Sequence, residues 1–311
     1  MTTTTPSSST GSGHPGTEPR DLRGYGPDRP DPRWPGGARL ALTIVVNCEE
    51  GAEYAVGDGA ARSESPLTDA ADAGADVPGR DLAAESMMAY GSRVGFWRIH
   101  HLLTERGIPA TASACALAFE RVPEIAAAAR DAGWGLLGHG YGFTKAYLMD
   151  EDAERAEIVR ALASFERTWG SAPTGWYCRY GPSLATRRLL VEAGLSYDSN
   201  AYDDDLPYWT RVDGRPHLVV PHTFSANDNK YAKGWWSTSD DAVTYLRDTF
   251  DVLYAEGGQL MTVSLHPRLS GHPARSAGVA RFLDHVLAHD DVWITTRPEV
   301  AEHWARVHPH G

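Results

Sequence analysis

From Arg39 onward, short apolar strand-like runs alternate with amphipathic helix-like segments, and this alternation constrains the fold more than any other feature of the chain. The first run, Leu40-Ala41-Leu42-Thr43-Ile44-Val45-Val46, is β-branched and nearly continuous, as expected of a strand buried on both faces. Similar runs follow at 110–115, 135–139, 175–178, 195–198, 217–221, 260–265 and 292–295. Between them, Ile158, Leu162, Phe165 and Trp169 share one helical face, and Val243, Leu246, Phe250 and Leu253 share another. Gly107, Gly194 and Gly257 sit where helix C-caps belong, and Ser237-x-x-Asp240 reads as a helix start. Such alternation means a parallel sheet with crossover helices, either an open doubly wound sheet or a closed (β/α) barrel. No Gly-x-Gly-x-x-Gly follows the first strand, which disfavours the dinucleotide-binding version. The absence of a short internal repeat argues against a solenoid or propeller.

Composition narrows the function. The 311 residues carry 29 Lys+Arg against 41 Asp+Glu, a net charge of −12. A nucleic-acid binder or a polybasic membrane-surface protein needs the opposite sign. No run approaches the ~18 apolar residues that span a bilayer. Residues 1–37, rich in Thr, Ser, Gly, Pro, Arg and Asp, have too little apolar surface to order themselves and read as a flexible tail without a secretory h-region. Residues 38–308 then form a single α/β domain. Three cysteines make no disulfide framework, and their odd number fits a reducing, cytoplasmic setting. Residues 51–85 form a long aperiodic segment after the first strand, read as a lid or pocket wall.

The chemistry-bearing residues cluster at predicted strand ends. Strand one ends in Asn47-Cys48-Glu49-Glu50, the 135 run in His139-Gly140, the 175 run in Tyr177-Cys178-Arg179-Tyr180, and the 260 run in His266. In parallel α/β folds the C-terminal strand ends converge on one face, where active sites are built. Each residue alone has a bland reading: a solvated Glu pair, a structural histidine, an arginine on a surface carboxylate worth ~0–1 kcal/mol. Their joint occurrence favours a site. Cys48 and Cys178 read mainly as small buried hydrophobes, with a nucleophilic role as the minor alternative. Asp203-Asp204-Asp205 reads as a solvated loop. Trp235-Trp236 is either pocket wall or packing.

These residues resemble a family. Val45-Val46-Asn47-Cys48-Glu49-Glu50-Gly51, Glu85-Ser86, Tyr90-Gly91-Ser92-Arg93-Val94-Gly95-Phe96-Trp97-Arg98, Gly138-His139-Gly140, Gly175-Trp176-Tyr177, Tyr197-Asp198-Ser199, Asp204-Asp205-Leu206-Pro207-Tyr208 and Leu265-His266 occur in the order seen in NodB-homology polysaccharide deacetylases. The resemblance is strongest to the allantoinase-like and cyclic-imide hydrolase branch. It implies a distorted (β/α) barrel of seven strands, one fewer than the eight runs above. It implies Glu49 as general base, His266 as general acid and Arg179 as the residue that orients the base. It implies Glu50, Tyr177, Tyr180, Glu85 and Trp236 as substrate contacts. The two-histidine metal motif keeps His139 but has Phe143 at its second position, so a divalent metal such as zinc, if bound, would rest on Glu50 and His139. A tight zinc site needs three protein ligands, and the implied hydrolysis is metal-independent. Cys48, Gly142-Phe143 and Pro267 stand where the branch usually has Tyr, Arg-Trp and Cys. The resemblance implies a homo-oligomer, since relatives assemble as tetramers.

The expected reaction is hydrolysis of a C–N bond in a small cyclic ureide or imide. Glu49 deprotonates water if burial or Glu50 raises its pKa, His266 protonates the departing nitrogen, and main-chain N–H groups near Tyr180 steady the oxyanion. The alternatives are a metal-dependent N-deacetylase of a carbohydrate or small acetamide, a lyase or cyclase reusing the same groups on another nitrogenous substrate, and a catalytically silent binder.

Overall fold

The computed structural model describes residues 20–69 and 77–310. The chain divides into two compact units, Met1–Pro30 and Asp31–Gly311. In the described part of the first, Asp21 Oδ1 accepts from the Arg23 N–H at 2.8 Å and Asp28 N–H donates to Tyr25 O at 3.2 Å. Most of the expected flexible tail, residues 1–19, lies outside the described residues. Its other end is corrected. Trp34 is 3% exposed, donates its indole N–H to Gln259 O at 3.1 Å and packs on Trp293 and Trp304, so the folded unit takes in residues the composition assigned to the tail.

Nine strands form one sheet among the described residues: β1 Leu40–Cys48, β2 Thr111–Ala114, β3 Gly135–Gly138, β4 Gly175–Trp176, β5 Tyr197–Asp198, β6 Tyr208–Val212, β7 Arg215–Val219, β8 Gln259–Leu265 and β9 Val292–Thr295. Their order is β6-β7-β5-β4-β3-β2-β1-β8, and β9 pairs with the first half of β1. Seven parallel strands, β7 through β5, β4, β3, β2 and β1 to β8, thus make one continuous path, the number of strands the resemblance implies for the barrel. The two ends of that path approach through a single parallel bridge, Asn227 to Ser264. The eighth run of the sequence is β9, the strand outside the path. The sequence reading passed over β6, which pairs antiparallel with β7. Its signal was Asp213-Gly214, both at positive φ, the turn chemistry of a two-residue hairpin.

All nine residues of β1 are buried, so its two faces both meet apolar layers. The helix Glu151–Thr168 turns Ile158 and Phe165 inward, and Ser239–Glu256 turns Leu246, Phe250 and Leu253 inward, as their periodicity requires. Burying a side chain of this size contributes roughly 1.5–3 kcal/mol. Gly107, Gly194 and Gly257 take the left-handed φ of helix ends. The second helix starts one residue later than expected: Thr238 is the N-cap, in a reciprocal pair with Asp241. No helix among the described residues is long and apolar enough to cross a membrane.

Candidate active site

The strand ladder runs one residue past the strands and plants the polar residues. His139 N–H donates to Ala114 O at 2.9 Å, and Tyr177 N–H donates to Gly138 O at 2.8 Å. Glu49 and Glu50 follow β1 directly, and His266 follows β8, the neighbour of β1. The four strand ends therefore open on one rim, as the parallel topology dictates.

Glu49 is the centre of this rim and is 1% exposed. Arg179 Nε lies 2.8 Å from its Oε1, His139 Nε2 3.1 Å and His266 Nε2 3.8 Å. Arg268 Nη1 lies 2.8 Å from its Oε2. Burial alone would push the Glu49 carboxyl up, but the Arg179 and Arg268 guanidinium groups, with His266 and His139, hold it well below the usual carboxylate range. This reverses the expectation that burial or Glu50 raises it. Burial pushes Glu50 up, and the adjacent Glu49 adds to the rise against the pull of Arg268. Burial also pushes His139 down, opposed by Glu49. His139 Nδ1 donates to Tyr177 O at 2.5 Å, and the two rings stack.

His266 is held by a carboxylate that sequence reading missed. Asp228 Oδ1 accepts from His266 Nδ1 at 2.5 Å, and its Oδ2 accepts from the His266 main-chain N–H at 2.7 Å and from Ser270 Oγ at 2.6 Å. With Nδ1 spent on Asp228, Nε2 faces Glu49. Asp228 reaches this spot because Asn227 bridges to Ser264 on β8.

The expected residues divide. Glu49, Glu50, His139, Tyr177, Arg179 and His266 are gathered. Glu50 is a partner of Arg268 rather than a free substrate contact. Tyr180 packs its ring on the Arg179 guanidinium, 4.6 Å from Cζ, and donates its hydroxyl to Glu64 at 2.9 Å. That bond, with Arg268 Nε donating to Leu67 O at 3.0 Å, makes the described part of the 51–85 segment a wall of the site. Two expected substrate contacts have other partners in the fold. Glu85 is engaged by Ser63 Oγ and Arg80 Nε and lines a separate surface cleft. Trp236 packs between Tyr231 and Tyr245. The thiols of Cys48, Cys115 and Cys178 are all pushed up by burial, Cys178 to about 12, which removes the thiolate a nucleophile needs.

The motif at Glu50 and His139 implies a divalent metal in the wider family, but these side chains do not fit one. Glu50 Oε1 already accepts from Arg268 twice, from the main-chain N–H at 3.2 Å and from Nη1 at 3.1 Å. Glu49 and Glu50 are both paired with guanidinium groups, so neither is free to ligate a dication. Phe143, at the position of the second histidine, lies against the guanidinium of Arg179, whose Cζ is 4.1 Å from the ring centre. Among the described residues, no three His, Cys, Asp or Glu side chains are grouped to hold a metal ion.

No family model matches the chain. A Schizosaccharomyces pombe protein assigned to the polysaccharide deacetylases is 34% identical over 317 residues, covering 94% of this chain and 99% of its own length. The chain belongs to the polysaccharide deacetylase family. Among solved members of similar fold, the PuuE allantoinase matches at 41% identity and a TM-score of 0.90, over 94% of this chain and 99% of that one. A Pseudomonas aeruginosa PAO1 protein assigned to the same family matches at 40% identity and a TM-score of 0.90, over 94% and 100%. Within this polysaccharide deacetylase fold, Arg268 and Asp228 are the residues sequence reading missed. Arg268 stands two places after His266, where an arginine reads as surface, and Asp228 stands next to Asn229 in a segment with no strand signal.

Proposed function

We propose that this polysaccharide deacetylase family member adds water across a C–N bond of a small cyclic ureide or imide, opening the ring. The observation that carries the reading is the 3.8 Å gap between His266 Nε2 and Glu49 Oε1, with Asp228 fixing the opposite ring nitrogen. A proton donor and a proton acceptor thus stand side by side at one point of the rim, where both can reach the same bound molecule. Glu49 takes a proton from water as the water oxygen bonds to the carbonyl carbon. His266 delivers a proton to the nitrogen as the C–N bond breaks, and the proton on Glu49 returns to the imidazole. Arg179 keeps Glu49 oriented.

A carboxylate held ionised by two arginines is a weak base. It suits a carbonyl already activated by a second acyl or urea nitrogen better than an ordinary acetamide. The allantoinase name of a relative at 41% identity points the same way. The chemistry needs no metal, consistent with the poor fit of the rim to a dication. The three free, buried cysteines support a cytoplasmic location. The test is a mass-spectrometric screen of hydantoins, cyclic imides, other cyclic ureides and N-acetyl sugars for a gain of one water. Turnover of a ring substrate in the presence of a strong chelator is expected. Turnover of N-acetyl sugars alone, abolished by the chelator, overturns the reading.

A further inference from the structure

A cleft of about 560 Å3 opens between the Asn229–Ala232 turn and the first half of the helix Ser239–Glu256. Phe224, Trp235, Trp236 and Tyr245 give it aromatic walls, and none of Glu49, Arg179 and His266 lines it. A cleft of this size and lining suits a small molecule. Trp236 is buried, whereas Trp235 is 69% exposed and Phe224 38%, so two large rings of one cleft are left in water. Lys230 also lines the cleft, although it is 4% exposed. Its Nζ lies 4.6 Å from the ring centre of Phe224 and 4.8 Å from that of Trp235. Lys233 Nζ lies 5.7 and 5.9 Å from the same two rings. The acceptors of Lys230 are neutral and long, Phe224 O at 3.3 Å and Asn229 Oδ1 at 3.4 Å. Among the described residues no salt bridge joins either lysine to a carboxylate. Burial and the charge of Lys233 both push the Lys230 ammonium down, the mark of two cations crowded without an anion. The two carboxylates of the cleft lie on its helix side. Asp241 is spent on the N–H groups of Ser237 and Thr238, at 2.9 and 2.8 Å, and Asp248 is exposed.

We infer that this cleft is a second ligand site, which takes a small planar aromatic carboxylate with its ring against Phe224 and Trp235 and its charge on Lys230 and Lys233. Such a ligand covers the two rings and neutralises the two ammonium groups at once. Its carboxylate accepts from Lys230, which has three N–H donors and only two long acceptors. A neutral ring leaves the lysines unpaired, and a cationic one meets their repulsion. The site goes beyond the hydrolysis proposed above and does not depend on it. The chain joins it to the catalytic rim, because Lys230 stands two residues after Asp228, the carboxylate that holds His266.

The experiment is calorimetric titration of the full chain with benzoate, 2-naphthoate and indole-3-acetate as probes. A naphthyl alcohol and a naphthyl-methylammonium ion serve as neutral and cationic controls. At least one of the acids is expected to bind at one equivalent, about tenfold or more tighter than both controls. Trp235→Ala and Lys233→Ala, both at exposed positions, are each expected to weaken that binding by about tenfold. Lys230→Met keeps the buried stem and removes the ammonium, and is expected to weaken it further. If Lys230→Met does not fold, the two exposed variants decide the matter. Three acids that fail to bind, binding that the variants leave unchanged, or a control that binds as tightly as the acids overturns the inference. A wild-type protein inert toward every ring substrate sinks the hydrolase reading and leaves this result standing.

Discussion

Glu49 collects more charge than any other side chain on the rim, and its neighbours decide what it can do. Two arginines and two histidines keep it ionised, so it acts as a fixed acceptor whose proton affinity is low. His266 complements it because Asp228 leaves only Nε2 free to face it. Glu49→Gln keeps the size and removes the charge, and His266→Ala removes the proton carrier. Each is expected to lower turnover of the ring substrate by about 10²–10⁴-fold, measured as kcat under saturating substrate. Rates within a factor of three of wild type in both variants would remove the acid–base pair.

At the scale of elements, close backbone approach places the chemistry. Gly95 has no room for a side chain against Pro267 O, and Pro267 adjoins His266. Gly95→Ala is expected to cost about 1–3 kcal/mol in denaturant unfolding, with a loss of turnover, because His266 moves with the turn. Gly57→Ala, with open space around it, is the control and is expected to stay within ~0.5 kcal/mol. Strands β5 and β7 are joined by a second device. Asp198 accepts from His217 Nε2 at 3.0 Å and from Arg187 Nε at 2.7 Å. Burial pushes its carboxyl up, but these bonds outweigh burial and bring it to about 2. The unfolded value is about 3.9. The stabilisation is therefore fully present above pH ~4 and is lost as pH falls through about 2, on the order of 2 kcal/mol. Unfolding free energy followed from pH 5 to pH 2 should fall by that much more in wild type than in Asp198→Asn.

For the whole molecule, the boundary of the folded unit is testable by truncation. A chain starting at Asp31 keeps Trp34 in its place against Gln259, Trp293 and Trp304, and its Tm should match that of the full chain. A chain starting at Ala38 loses the indole and leaves a cavity. It should lose roughly 3–5 kcal/mol in the same unfolding assay. Arg297 makes a comparable brace inside the fold. It is wholly buried, donates to Thr262 Oγ1 at 2.6 Å, Ser199 Oγ at 2.8 Å and Pro221 O at 3.0 Å, and is pushed down to about 10 by burial. Its main-chain N–H donates to Thr111 Oγ1 on β2 at 2.9 Å. Nothing near Arg297 in the chain signals this, because the acceptors come from different strands and the segments that follow them.

The amino-acid order alone determined the α/β class, eight of the nine strands and the polar rim, since apolar periodicity is local and parallel strands necessarily end together. Glu49, His139, Arg179 and His266 were legible for that reason: each directly follows an apolar run or its first polar residue. Tertiary structure alone decided the charge state of Glu49, the bridging role of Arg268, the anchoring of His266 by Asp228 and the partners of Glu85 and Trp236. These depend on which side chains from remote segments come within a few ångströms of one another, and on how much water burial removes. Proximity and desolvation are properties of the folded chain, and no local pattern encodes them.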